Sequence, residues 1–92
     1  MTEPAQGHWF VYVIRCAGDR WYCGIAKDVE ARYAEHASGQ GAKFTRAFPP
    51  EALLVSRRTS SRSDALREEA AFKRLTRAKK QARIDEWRTV GG

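Results

Sequence analysis

The chain reads as an α+β domain, a small three-stranded antiparallel sheet flanked by helices in the order ββαβαα. Three observations lead there. Two runs dense in aromatic and β-branched residues, 8–16 and 21–26, stand either side of Ala17-Gly18-Asp19-Arg20, the pattern of a hairpin. A third apolar run, 52–58 with Leu53, Leu54 and Val55, follows Pro49-Pro50. Between and after these runs lie segments with apolar residues at helical spacing, each preceded by a capping residue.

Each element has its own warrant. Asp28 is a good N-cap for a helix running to about Ser38, and Gly39-Gln40-Gly41 stops it. Residues 42–50 read as a loop carrying Lys43, Thr45 and Arg46. The cluster Thr59 to Ser63 offers several caps for a helix from about Asp64 to Leu75, and Thr76 caps a last helix ending near Arg88. Such a sheet needs helices on at least one face. Residues 8–88 are expected to form a single domain, with 1–7 and 89–92 as flexible ends.

The hairpin loop decides how Tyr12 and Tyr22 relate. A two-residue loop, Gly18-Asp19, sends the two phenols to opposite faces of the sheet. A three-residue loop, Gly18 to Arg20, pairs Cys16 with Tyr22 and puts both phenols on one face with Ile14. Gly24 then lies on that face too, leaving room for a phosphate to approach the backbone.

Composition narrows the function classes. The 42% apolar content, with three Trp, four Phe and three Tyr, argues for a folded globule. No run approaches the roughly 20 apolar residues of a membrane span, and none near Met1 resembles a signal peptide; the expectation is a cytoplasmic protein without a membrane partner. Cys16 and Cys23 lack the spacing of a zinc or redox motif and read as two free, partly buried thiols. The net charge of +6 comes entirely from residues 57–92, with eleven basic and five acidic side chains against six of each in 1–56. One-sided basicity is the footprint of a polyanion binder, although solvated helix faces produce it as well.

Several residues point to chemistry. At ~100° per residue, Glu69 falls about 40° from Ala65, inside the sector defined by Ala65, Leu66, Ala70, Phe72 and Leu75. A carboxylate there needs a cation, a donor cluster or a metal; Glu68, near the edge of the sector, competes with it. Arg32 and His36, four apart, line the edge of the first helix's apolar face beside Val29, Tyr33 and Ala37. The guanidinium can fork two phosphate oxygens, and the imidazole can exchange a proton near neutral pH. Each also has a plain structural explanation: Glu69 in a salt bridge, Arg32 paired with Glu69 or Asp28, His36 as a satisfied boundary residue, the tyrosines as core.

Taken together, these residues resemble the GIY-YIG nuclease family, above all its small stand-alone bacterial members. The resemblance spans about Trp9 to Lys80. It is carried by Trp9-Phe10-Val11-Tyr12-Val13-Ile14-Arg15-Cys16, Trp21-Tyr22-Cys23-Gly24-Ile25, Gly41-Ala42-Lys43-Phe44-Thr45-Arg46 and Ser61-Arg62-Ser63-Asp64-Ala65-Leu66. Phe10-Val11 and Cys23 depart from the family's name motifs, whereas the ordered set of Tyr, Tyr, Gly, Arg, His and Glu is specific.

The resemblance implies that Tyr12 and Tyr22 are the motif tyrosines, Gly24 the motif glycine and Arg32 the arginine of the first helix. His36 matches a histidine that some members carry, and Glu69 the single carboxylate ligand of one Mg²⁺ or Mn²⁺. Certain members add an asparagine near the metal; this chain contains no Asn, so that element is missing or replaced. The implied activity is metal-dependent DNA endonuclease, in repair, recombination or uptake, with a protein partner or a homodimer supplying targeting. Either tyrosine could position or deprotonate the attacking water. Lys43, Arg46, Arg74, Arg77, Lys79, Lys80 and Arg83 are the expected phosphate contacts. The rival readings are a non-catalytic nucleic-acid-binding module of the same fold and a small basic RNA-associated protein.

Overall fold

The computed structural model describes residues 8–91; the expected flexible segment 1–7 and residue 92 lie outside them. Three antiparallel strands, β1 (Trp9–Cys16), β2 (Arg20–Ala26) and β3 (Pro50–Thr59), form one sheet in the order β2-β1-β3. Four helices accompany them: α1 (Val29–Ala37), α2 (Lys43–Ala47), α3 (Arg62–Lys73) and α4 (Arg77–Gly91). The order is the expected ββαβαα with one addition, the single short helix α2, where 42–50 reads as loop. The last helix runs past Arg88, and β3 is longer at both ends than 52–58.

The hairpin loop has an odd number of residues, but they are Ala17 to Asp19 rather than Gly18 to Arg20. Cys16 therefore pairs with Arg20, Ile14 with Tyr22 and Tyr12 with Gly24. Gly18 and Asp19 both adopt positive φ, 76° and 56°, which Gly and Asp tolerate best. The parity keeps the two tyrosines on one face.

Caps fall where side-chain chemistry puts them. Asp28 accepts a hydrogen bond from the Ala31 N–H at 3.0 Å, and Ser61 accepts from Asp64 N at 3.1 Å. Thr76 accepts from Lys79 N at 3.3 Å. Each satisfies a backbone donor that the first helical turn leaves unpaired.

Helices cover both faces of the sheet. Val11, Val13, Cys23 and Val55 point to one face, where α3 and α4 bring Phe72, Ile84 and Trp87; the Phe72 and Trp87 rings stack at 5.6 Å. Tyr12, Ile14, Cys16 and Ala26 point to the other, under Val29 and Tyr33 of α1 and Phe44 and Phe48 from the α2 segment. Covered on both sides, β1 is buried without a break from Val11 to Ile14, as a central strand between two apolar layers should be. The two thiols are free and buried on opposite faces. No helix among the described residues is long and apolar enough to cross a membrane.

One expectation about α3 changes. Leu66 and Ala70 are exposed, and the buried seam is Ala65 and Phe72 alone. Glu68 and Glu69 are both half-buried, one on each flank of that seam.

Candidate active site

Five of the six residues singled out from the sequence meet on the α1/α2 face of the sheet. β1 supplies Tyr12, and β2 supplies Tyr22 and Gly24; α1 supplies Arg32 and His36 one turn apart. Tyr12 and His36 are each only 1% exposed. Tyr12 Oη and His36 Nε2 share a hydrogen bond of 2.9 Å. The Tyr22 ring lies 6.3 Å from that of Tyr12 and 5.1 Å, edge-on, from His36.

Gly24 has a different part from the one its position suggests. A Cβ there would stand 2.6 Å from Tyr12 Oη and 3.1 Å from Tyr22 Cε2. The space above the glycine is thus filled by the Tyr12 phenol and is not left open for a phosphate. Gly24 is what lets the phenol cross β2 to reach His36.

Burial, and next the neighbouring Tyr22, push the Tyr12 phenol up to about 12, while Arg32 beside it opposes the rise. At such a value only ~10⁻⁵ of the phenol is ionised at pH 7. Burial first, then the Arg32 charge, lower the pKa of His36, so its ring is neutral at pH 7. Arg32 itself is bonded to Glu35 through Nη1 at 2.6 Å, not to Glu69 or Asp28. That pair is solvent-facing and weak, so Arg32 remains available to an anion.

Glu69 is not in this cluster. It flanks the opposite face of β2 beside Cys23, whose thiol is pushed up to about 12 by burial first and by Glu69 next. Its Oε2 accepts from Lys73 Nζ at 3.2 Å, one helical turn on. Because β2 is an edge strand, its free edge separates the carboxylate from the tyrosine site, and a ligand lying along that edge borders both faces. Glu68 faces a different cavity, of about 300 Å³, with Arg57, Arg58, Asp64 and Arg67.

Among the described residues no group of three or more His, Cys, Asp or Glu stands together. A fully caged metal is thus not provided for. Mg²⁺ suits a thinner site, since it dehydrates reluctantly and is commonly held by one carboxylate together with substrate phosphate. Glu69, half-buried with a hard oxygen donor, fits that requirement.

The candidate phosphate contacts divide between the faces. Lys43 and Arg46 are exposed on α2, next to Phe44, which packs 5.7 Å from Tyr22. Arg74 and Lys79 are exposed on the other side, and Lys80 approaches Cys23 with Lys73. Arg77 is committed elsewhere: it bonds the Asp19 carboxylate and carbonyl at 3.1 Å each and lies 3.5 Å over the Trp21 ring. It ties α4 to the hairpin turn. Arg83 pairs with Glu86 at 3.4 Å.

Two residues of the cluster were not among the candidates. Thr45 Oγ1 lies 2.7 Å from His36 Nδ1 and is 1% exposed. Any side chain at Gly41 would overlap the His36 ring. Both lie in the segment Gly41-Ala42-Lys43-Phe44-Thr45-Arg46, so the signal was a motif in which only Lys43 and Arg46 had a role attached.

The chain matches the GIY-YIG catalytic domain family over residues 8–82. Among curated proteins it is 44% identical over 78 residues to a UPF0213 protein of Cupriavidus necator, covering 85% of each chain. A UPF0213 protein of Neisseria meningitidis serogroup C is 42% identical over 74 residues, covering 80% of this chain and 81% of the relative. Among solved structures, the solution NMR structure of a UPF0213 protein from Bacillus halodurans superposes with a TM-score of 0.56 at 36% identity. That match covers 92% of this chain and 87% of the other.

Proposed function

The chain belongs to the GIY-YIG catalytic domain family, and from that premise we propose that it is a metal-dependent DNA endonuclease, hydrolysing phosphodiester bonds at the free edge of β2. The observation that carries this reading is the buried Tyr12–His36 hydrogen bond with Arg32 beside it. A phenol sealed in a core needs only a partner for its hydroxyl. Here the partner is a neutral base next to an arginine without a buried counter-ion, an arrangement suited to moving a proton near an anion.

Each residue has a task. Arg32 leaves Glu35 for the phosphate, where its two parallel donors hold the oxygens and offset the charge that grows in the transition state. Tyr12 takes the proton of the attacking water. With a pKa of about 12, it holds no standing phenolate at pH 7, so it gives its own proton to His36 Nε2 in the same step. Water then becomes the nucleophile, Tyr12 stays neutral and His36 becomes imidazolium. This favours Tyr12 over Tyr22 as the proton carrier, since Tyr12 is the one bonded to a base. Tyr22 packs against the His36 ring edge and holds it in line. Glu69 would hold a Mg²⁺ or Mn²⁺ ion, which when bound supplies Lewis-acid stabilisation of phosphate charge. Lys43, Arg46, Arg74, Lys79 and Lys80 position the backbone of DNA without reading its bases. Repair, recombination or DNA uptake are pathways in which such a cut is required, and targeting falls to a protein partner or a second copy.

Plasmid nicking with Mg²⁺ or Mn²⁺ tests this, beside Glu69→Ala. The wild type should nick and the variant should not, while both bind duplex DNA with similar affinity, because phosphate contacts dominate binding. Equal cleavage by the two proteins would remove Glu69 from the chemistry. Binding without cleavage by the wild type would leave a nucleic-acid-binding module.

A further inference from the structure

Resting on that reading, we propose that Thr45 is a positioning residue: it fixes His36 in the tautomer protonated on Nδ1, which leaves Nε2 free to receive the proton of Tyr12. Four buried or half-buried groups share too few hydrogens for more than one good allocation.

Thr45 sits on α2, one turn after Ala42. Its hydroxyl can donate back to the Ala42 carbonyl, as β-branched hydroxyls in helices do, and the distance is 2.9 Å. A hydroxyl has one proton to give. If it goes to Ala42 O, then Thr45 Oγ1 can only accept from His36 Nδ1, at 2.7 Å. Nδ1 is then the protonated nitrogen, and Nε2 accepts from Tyr12 Oη at 2.9 Å. All three short contacts are satisfied.

The alternative puts the proton on Nε2. Thr45 would then donate to Nδ1, and its 2.9 Å bond to the Ala42 carbonyl would be lost, leaving that oxygen the Arg46 N–H alone at 3.1 Å. The only compensation would be the Ala42 N–H at 3.4 Å from Nδ1. That separation lies beyond the 2.7–3.2 Å of ordinary N–H donors. Three good bonds outweigh two good bonds and one long one. His36 and Thr45 are both 1% exposed, so no solvent stands ready to exchange for a lost partner. Gly41 completes the device, because any side chain there would displace the ring from Thr45.

The consequence for the reaction is directional. With Nδ1–H held by Thr45, the proton that Tyr12 releases has one destination, Nε2. The imidazolium that forms keeps its Nδ1 proton on Thr45 and returns the Nε2 proton when product leaves. In the other tautomer Nε2 would donate to Tyr12 and could accept nothing from it.

The test reads the tautomer directly, by ¹⁵N NMR of the imidazole nitrogens at neutral pH. His8 is the other histidine of the chain, so a His8→Gln background leaves only His36. That background and Thr45→Ser within it should show a protonated Nδ1 and a pyridine-like Nε2. Thr45→Val, of similar shape without the hydroxyl, should shift His36 towards the Nε2–H form and lower kcat for nicking about 10–100-fold with little change in KM. Thr45→Ser should restore kcat. A protonated Nε2 with Thr45 in place overturns the inference, and does so even if Thr45→Val fails to fold. Retention of Nδ1–H in folded Thr45→Val overturns it too. If the tautomers behave as stated and the wild type cuts no DNA, the nuclease reading fails while the role of Thr45 in setting the ring stands.

Discussion

Replacing Gly24 with alanine should separate this site from an ordinary strand. Glycine within a strand usually weakens it, so alanine there would be expected to stabilise by ~0.5–1 kcal/mol. At Gly24 the sign should reverse. The added Cβ would lie 2.6 Å from Tyr12 Oη and 2.9 Å from Cζ, so the phenol must retreat by about 0.8 Å to reach ordinary separation. It has nowhere to go: it is 1% exposed, with the rings of Tyr22 and His36 within 6.3 Å. Overpacking of this kind costs about 1–3 kcal/mol. Stretching the bond to His36 leaves a buried nitrogen short of a partner, at about another 1–3 kcal/mol. The sum, about 2–6 kcal/mol, is a large part of the stability of a domain this size and corresponds to a fall in Tm of at least about 8 °C. Misplacing the phenol by nearly 1 Å should also cost about 10²-fold in nicking rate. Thermal denaturation and plasmid nicking measure the two effects. Gly39, at φ +86° with no atom within 4 Å of its would-be Cβ, is the control: alanine there should cost only backbone strain of about 1 kcal/mol. A Gly24→Ala protein as stable and as active as the wild type would show that the phenol does not cross the glycine.

Two further outcomes are expected. His36 has its pKa lowered by burial and then by Arg32, so below the ordinary value of about 6.5 the unfolded chain binds more protons than the folded one. The stability this group contributes is present above that value and is lost as pH falls through the folded pKa. Urea midpoints should drop as pH falls below about 6.5, and His36→Gln should flatten that slope; a flat wild-type profile would contradict burial of a neutral imidazole. Reversing Lys79 and Lys80 to Glu should weaken binding to unrelated duplexes alike and reduce the salt slope, by about 0.9 for each phosphate no longer neutralised. An unchanged slope would place the DNA on the Lys43 and Arg46 side.

The fold was largely legible because its signals are local. Alternating aromatic and β-branched runs, Asp28, Thr76 and the glycines around residue 40 mark the elements by side-chain and backbone chemistry. The hairpin parity was not, because Gly18 and Asp19 suit loops of either length; only the register of β2 against β1 selects one. Helix α2 was missed since five residues are too few to show a period, and Ala42 offers no side-chain cap. On α3, periodicity placed Leu66 and Ala70 inside, whereas the helix touches the sheet along a narrow line through Ala65 and Phe72. Periodicity in a sequence implies a broad seam; a helix over a small sheet has a thin one, so half-buried carboxylates flank it. Thr45 could not be given a part because its value depends on where one hydroxyl proton goes, and that requires coordinates.

The bulges of β3 bear on how this domain behaves at high concentration. Val13 pairs with Val55 but Ile14 with Leu53, and Arg15 pairs with Ala52 but Cys16 with Pro50, so Leu54 and Glu51 are each an extra residue against β1. The ten-residue strand forms the outer border of the sheet and would otherwise offer a straight template for a foreign chain. Its first half is broken twice, begins with a proline that has no N–H, and has the Leu54 carbonyl taken by Arg88 Nε at 2.9 Å. The uninterrupted remainder, from Val55 to Thr59, carries Arg57 and Arg58, whose like charges repel an incoming copy in parallel alignment. Irregular pairing thus guards against self-templated growth of the sheet on the side away from the tyrosines, and leaves the β2 border as the one where an extended polymer can lie.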